Sequence, residues 1–170
     1  MHYGQRKTVM KEVLLCVAVL AVSVFMAFAP VAAASDPVDF IRMQKDFFRD
    51  IKERQYQKSW DAMTIASKNW VAKEIADAAV KMNKDYTQAQ IYAMLERDAS
   101  NVRTNFFNNL IEEWGKTSFL SLIAVAPYSI KSSTKERVVM TITLEGDPKD
   151  FQIMQEGGRW KINFFDDLAR

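Results

Sequence analysis

Apolar residues recur at helical spacing through the first two thirds of the chain that follows residue 35. Asp36 and Pro37 begin the first such segment, since aspartate is a common N-cap and proline is tolerated in the first turn of a helix. Thr87 and Gln90 have the spacing of a capping box ahead of a later segment. We therefore predict amphipathic helices. Their apolar stripes are Phe40, Met43, Phe47 and Ile51; Tyr56, Trp60 and Met63; Val71, Ile75, Ala78 and Met82; Ile91, Met94 and Leu95; and Val102, Phe106, Leu110 and Trp114.

The last third of the chain changes to the alternation that is typical of strands. Residues 118–132 carry a short apolar run, and because Pro127 interrupts it we predict a bent edge strand there. Residues 136–144 alternate clearly, which predicts a strand with one apolar face. That face carries Val138, Met140, Ile142 and Leu144.

A hairpin is predicted near the end of the chain. Gly157–Gly158 separates two alternating runs, as a two-residue hairpin turn does. If the turn closes on these glycines, Ile153 lies opposite Ile162 and Phe151 lies opposite Phe164. The apolar residues of both strands then share one face, so the turn and the pattern agree with each other.

The order of these elements indicates one α+β domain over residues 35–170. Helices come first and strands second, and the chain shows no internal repeat. We predict several N-terminal helices packed on a curved C-terminal antiparallel sheet of about four strands. A domain of this length buries enough surface to be stable without disulfide bonds.

Residues 1–34 have the composition of a signal peptide. A basic start precedes an apolar stretch over residues 13–29, and Pro30 and a run of alanines follow it. We therefore expect export to the periplasm or out of the cell, with cleavage after Ala34. The alternative is an inner-membrane anchor formed by residues 13–34, because about 20 apolar residues suffice to cross the hydrocarbon core.

The predicted domain has few of the side chains on which catalysis and metal binding depend. The only cysteine, Cys16, and the only histidine, His2, precede it, which excludes disulfides, thiolate nucleophiles and histidine chemistry. We expect no cofactor and no metal. Three of the 23 basic residues and one of the 21 acidic ones also precede it, so the domain is electrically neutral. We expect no nucleic-acid partner, and contact with a membrane only through an uncleaved signal segment.

The last hairpin contains the run Glu156–Ile162, with the sequence EGGRWKI. Helices followed by a sheet that ends in such a hairpin resemble the nuclear transport factor 2-like superfamily, also called cystatin-like. The narrower likeness is to its bacterial secreted or lipid-anchored members of unknown function. The resemblance implies a cone-shaped fold with a pocket between the concave sheet and the first helices, and a homodimer by analogy. The periplasmic phospholipid carriers are a second similar family.

Aromatic residues are the candidates for lining such a pocket, as they do in sites for apolar ligands. The candidate residues are Phe47, Trp60, Trp114, Tyr128 and Trp160. Ordinary core packing is the default interpretation of Trp60 and Trp114, because both have helical spacing, and of Trp160, which follows a glycine turn.

No catalytic residue stands out in the sequence. A carboxylate base with a tyrosine donor is the arrangement of ketosteroid-isomerase-like relatives, and it needs no histidine. Asp61 or Asp77 with Tyr92 or Tyr128 supplies these groups, but no spacing singles them out.

The favoured hypothesis is an exported, non-enzymatic binding domain of the bacterial cell envelope, whose partner is a small apolar ligand or an envelope protein. One alternative is a periplasmic lipid-carrier-like protein. The other is an isomerase- or hydratase-like enzyme that uses a carboxylate and a tyrosine. A carboxylate of raised pKa inside a closed pocket would favour the enzyme.

Overall fold

The chain divides into two units, residues 1–35 and residues 36–170. In the computed structural model the described residues are 36–116 and 119–164, all of them in the second unit. The predicted signal peptide and its alternative as a membrane anchor therefore lie outside the described residues, and both stay predictions.

Six α-helices precede four β-strands in the described part of the chain. The helices are α1 (Pro37–Lys52), α2 (Tyr56–Ala62), α3 (Ile65–Lys81), α4 (Gln88–Arg97), α5 (Val102–Lys116) and α6 (Phe119–Val125). A short 3-10 turn, Ala99–Asn101, joins α4 to α5. The strands are β1 (Tyr128–Ser133), β2 (Arg137–Leu144), β3 (Asp147–Glu156) and β4 (Arg159–Asn163). This order confirms the predicted α+β fold.

The predicted helix starts are confirmed where a cap is present. The Asp36 carboxylate accepts a hydrogen bond from the backbone N–H of Val38 at 3.0 Å, which satisfies one of the free donors at the start of α1. Thr87 and Gln90 form both halves of the capping box at α4. These signals lie within a few residues of each other, so no tertiary contact is needed to form them.

The four strands form an antiparallel meander in the order β1-β2-β3-β4. The predicted hairpin is confirmed, because Ile153 pairs with Ile162 across β3 and β4. Gly157 and Gly158 have φ values of 57° and 76°. A two-residue turn with both φ values positive is the type I′ turn, which matches the twist of the strands and strongly favours glycine. Phe151 also contacts Phe164, with ring centroids 6.3 Å apart.

The core lies between the helices and one face of the sheet. Helix α1 contributes to two clusters: Phe40 packs with Val138, Met140 and Ile153, while Phe48 belongs to the larger cluster that includes most of the other helices. The inner face of the sheet therefore buries the alternating residues that the sequence predicts for β2, apart from Leu144, which is half-buried.

The edge strand predicted over residues 118–132 is wrong in its first half. Phe119–Val125 is a helix, and the strand begins only at Tyr128. Seven apolar or small residues suit either structure locally, and here Ile123 is buried in the core on one side of a helix. Pro127 restricts the residue before it and ends the helix.

Two predicted helical stripes are also shifted. On α3, Ala78 is exposed, and Met82, beyond its last residue, is 62% exposed. Val71 of the predicted stripe is buried and Ile75 is half-buried, and the other buried residues of α3 are small, namely Ser67, Ala72, Ala76 and Ala79. On α5 the predicted stripe is half-buried, and the fully buried residue is Phe107, which stacks on Tyr56 at 5.1 Å. Apolar size alone does not show which side of a helix meets its neighbours.

A buried polar network ties the corner between α2 and α3 to the end of β4. The hydroxyls of Thr64 and Ser67 both donate to Asn163 Oδ1, at 3.0 and 3.1 Å. The backbone N–H of Phe164 donates to Ser67 Oγ at 2.9 Å, and the backbone N–H of Thr64 donates to the Ile162 carbonyl at 2.9 Å. The corner therefore covers the free edge of β4, which would otherwise present unpaired backbone groups.

Gln44 is an exception to the general rule that buried polar side chains are hydrogen-bonded. Its side chain is 0% exposed on α1, and neither Oε1 nor Nε2 has a hydrogen-bond partner among the described residues. We expect Gln44→Met to raise the free energy of unfolding by about 1–2 kcal/mol, because methionine has a similar shape and no polar group to desolvate. Urea denaturation measures the change. The exposed Gln55→Met is the matched control, and a loss of stability in Gln44→Met would show that the amide has a partner such as an internal water.

Candidate binding groove

A groove of about 440 Å³ lies on the surface between α1 and α6. Its volume is within the range of about 300–1,000 Å³ that is usual for small-molecule sites. The residues that line it are Lys45, Asp46, Phe48, Arg49, Lys52, Glu53, Leu120, Ile123 and Ala124. The groove is thus built from two segments that are far apart in sequence.

The rim of the groove on α1 is mainly cationic. Lys45, Arg49 and Lys52 are spaced four and three residues apart, so they follow one side of the helix. Arg49 pairs with Asp46, with Nη1 and Oδ1 2.8 Å apart. The Lys45 ammonium lies 5.1 Å from the centre of the Tyr128 ring. Neither Lys45 nor Lys52 forms an ion pair with any residue that the structure describes.

The floor of the groove is apolar and rigid. Phe48 is 3% exposed and Ile123 is 1% exposed, while Leu120 is half-buried and Ala124 is exposed. The Phe48 ring contacts five other aromatic rings at centroid distances of 5.5 to 6.0 Å. Those rings are Phe47, Trp114, Phe119, Phe151 and Phe164. A close-packed wall of this kind holds its shape when a ligand enters.

The five aromatic residues predicted to line a pocket lie in different places, and none of them is among the residues that line this groove. Phe47 and Trp60 are buried in the core. Trp114 is half-buried and contacts Phe119 and Phe164. Their role as ligand-pocket residues stays a prediction.

The other two predicted pocket residues lie at the ends of the sheet. Tyr128 is half-buried at the start of β1, and its hydroxyl donates to the Ile123 carbonyl at 2.9 Å. Trp160 packs edge-on against Phe40 at 4.9 Å. A second, smaller hollow of about 290 Å³ on the other side of α1 includes Phe47 and the carboxylates of Asp39, Asp46 and Asp50.

A tyrosine and a carboxylate do lie side by side, but they are not the pair that the sequence suggests. Tyr92 interacts with Glu96 one turn later on α4, and Lys68 Nζ is 3.1 Å from Glu96 Oε1. The same ammonium lies 5.1 Å from the centre of the Trp60 ring. Asp77 is instead paired with Lys73 at 2.6 Å on the surface of α3.

The electrostatics of Glu96 are those of an ion-pair partner and not of a general acid. Burial on its own raises the pKa of a carboxyl, but the hydrogen bond and charge of Lys68, with contributions from Trp60 and Tyr92, outweigh it. The pKa of Glu96 therefore lies below its ordinary value. Burial also raises the pKa of Tyr92, and Glu96 adds to that effect.

The pH dependence of stability follows from those described residues whose pKa values differ from the ordinary ones. The pKa of Glu96 and that of Asp98 are lowered because hydrogen bonds outweigh burial, and Lys131 and Thr141 lower the pKa of Asp150. Each of these carboxylates contributes stability at pH values above the pKa that it has in the unfolded chain. This contribution is lost as the pH falls through its lower pKa in the folded protein. Burial raises the pKa of Tyr128 far above the ordinary tyrosine value of 10.0. The stability that the buried, uncharged Tyr128 contributes is therefore lost as the pH rises above 10.0.

We therefore expect the urea midpoint to be flat between about pH 6 and pH 9 and to fall on both sides, because the domain contains no histidine or cysteine. Glu96→Gln should make the acid limb shallower, and the exposed Glu112→Gln serves as the control. Unfolding measured by circular dichroism in urea across this pH series tests the expectation. A step in stability near pH 6.5 would contradict it.

Residues 36–116 and 119–164 hold no group of three or more histidine, cysteine, aspartate or glutamate side chains arranged for a metal ion. None of the described helices has the length and apolarity that crossing a membrane requires.

Comparison with protein-family models, with curated proteins and with solved structures found no match to this chain. By its fold and its surface, the described part of the chain is a small α+β domain with an amphipathic groove between α1 and α6.

Proposed function

We propose that this protein is an exported, non-enzymatic binding domain of the bacterial cell envelope, and that the groove between α1 and α6 holds a small molecule. The observation that carries the proposal is the combination of an apolar floor at Phe48 and Ile123 with a polar rim at Lys45 and Lys52. Sites for small molecules have this composition, with an apolar surface for affinity and a few polar groups for orientation.

The location and the family are part of the same proposal. The basic start, apolar stretch and alanine run of residues 1–34 support export. The order of helices and antiparallel strands supports the resemblance to the nuclear transport factor 2-like superfamily, in which fold alone does not decide function.

A binding role is favoured over an enzymatic one by the state of the acidic groups. The carboxyls of Glu96, Asp98 and Asp150 have lowered pKa values, which makes them weak proton acceptors, whereas an effective general base at neutral pH needs a raised pKa. Tyr92 and Glu96 do lie together, but the ion pair with Lys68 lowers the pKa of the Glu96 carboxyl and so weakens it as a base. Such a cluster is typical of a structural ion pair.

The proposal is tested with the full-length chain, expressed in a bacterial host and purified from the envelope fraction. Native mass spectrometry is expected to show a bound molecule of several hundred daltons that is lost under denaturing conditions. Ala124→Trp should abolish the extra mass because the new side chain fills the groove. Val125→Trp, at an 80% exposed neighbour that does not line the groove, should retain it.

Three results would count against the proposal. A clean mass for the unmodified chain would favour a protein-interaction domain without a small ligand. A bound mass that survives Ala124→Trp would place the ligand elsewhere on the protein. If the bound molecule is a two-chain phospholipid, the lipid-carrier alternative replaces the present one.

A further inference from the structure

We propose that the ligand of the groove is a single-chain anionic amphiphile, that is, a linear alkyl chain that ends in a carboxylate or a similar anion. This inference rests on the proposed binding function and names the chemical class of the ligand. It is carried by the separation of charge and apolar surface within the groove.

The anionic end is recognised by the rim on α1. Lys45 and Lys52 form no ion pair with a described carboxylate, while Arg49 is already paired with Asp46. The two lysines are seven residues apart, which is about 10 Å along a helix. Glu53 also lines the groove, at the end next to Lys52. An anion is therefore favoured near Lys45, and a cationic head group would meet two positive charges.

The alkyl chain is recognised by the floor and by α6. Phe48 on α1 and Leu120, Ile123 and Ala124 on α6 supply the apolar part of the lining. Burial of alkyl surface on such a lining stabilises a complex by about 0.8 kcal/mol for each methylene that leaves water. A small polar anion without an alkyl chain would leave this surface uncovered.

The size of the groove favours one chain over two. At about 440 Å³ the groove is near the small end of ligand sites, which reach about 1,000 Å³. A free single-chain molecule fits that volume, whereas a bilayer phospholipid brings a second chain and a neighbouring membrane surface. Helix α6 carries no charged residue, so the groove offers positive charge only between Lys45 and Lys52 of α1, which is a small area for attraction to an anionic bilayer.

The test compares three probes of equal chain length on the full-length protein by isothermal titration calorimetry, below their micelle concentrations. Dodecanoate is anionic, dodecyl maltoside is neutral and dodecyltrimethylammonium is cationic. We expect dodecanoate to bind at least about 10-fold more tightly than the cationic probe. Raising the salt concentration should narrow this difference because the lysines are exposed.

Matched variants locate the two halves of the ligand. Lys45→Gln/Lys52→Gln should weaken dodecanoate binding about 10-fold and leave dodecyl maltoside unchanged. The control Lys81→Gln/Lys84→Gln removes the same charge from exposed positions outside the groove and should have no effect. Ala124→Trp should weaken all three probes, and Val125→Trp should weaken none.

The outcomes separate this inference from the proposed function. If the three probes bind equally, or the lysine pair has no effect, the inference is overturned while binding in the groove stands. If none of the probes binds and the purified chain carries no small molecule, both are overturned. Binding to vesicles of anionic phospholipid without binding to monomeric dodecanoate would also overturn the inference, because the protein would then recognise a membrane surface.

Discussion

Replacing Phe48 with alanine is expected to lower the free energy of unfolding by about 3–5 kcal/mol, the largest effect that we predict for a single side chain. Phe48 lies on α1, and its ring contacts aromatic rings from α5, α6 and β3. Its removal leaves a cavity that several elements would have to fill together, and such elements relax only in part.

Urea denaturation followed by circular dichroism measures this loss. Phe106→Ala is the matched control, because Phe106 is only half-buried on α5 and should cost clearly less. A loss below about 1.5 kcal/mol in Phe48→Ala would contradict the central position of this ring. Because Phe48 also lines the groove, the measurement is made without ligand, so that lost stability is separated from lost binding.

Local signals predicted the parts of the fold that depend on neighbouring residues. The capping side chain of Asp36 and the turn at Gly157–Gly158 act within a few residues, and both are present in the structure. The register of the last hairpin followed from the turn because a shift of one residue would move its apolar side chains to the other face. To choose between these registers, it is enough to know which face of the sheet packs against the helices.

Tertiary packing decided the parts that the sequence analysis missed. Phe119–Val125 was predicted as strand, but as a helix it buries Ile123 against the core. On α3 the predicted stripe holds at Val71, which is buried, but Ala72 and Ala76 are buried where Ala78 and Met82 were expected. Neither choice is visible without the neighbouring element.

The groove was missed for the same reason. Its halves come from residues 45–53 and residues 120–124, and only folding brings them together. The spacing of Lys45, Arg49 and Lys52 was visible in the sequence, but a basic stripe on a helix is common on solvated surfaces. It became a candidate site only once α6 supplied an apolar wall beside it.

The five aromatic residues that were predicted to line a pocket do not line the groove between α1 and α6. Large aromatic side chains bury much area, so most of them serve the core before they serve a ligand. Phe47 and Trp60 are buried for that reason, whereas Phe48, which is not among the five candidates, does line the groove.

The second large effect is expected from Ser67→Ala, which should lower the free energy of unfolding by about 1–3 kcal/mol although it removes a single oxygen atom. Ser67 Oγ accepts a hydrogen bond from the backbone N–H of Phe164 and donates one to Asn163 Oδ1. Phe164 is buried, so its N–H would lose its partner where water cannot easily replace it.

The same substitution at Ser121, which is exposed on α6, is the control and should change stability by less than about 0.5 kcal/mol. Hydrogen exchange of the Phe164 amide gives an independent readout, since it should become faster in Ser67→Ala alone. An unchanged stability would mean that a water molecule takes the place of the hydroxyl. In that case the corner of α2 and α3 would hold β4 through the Thr64 N–H and the Ile162 carbonyl, and not through the buried side chains.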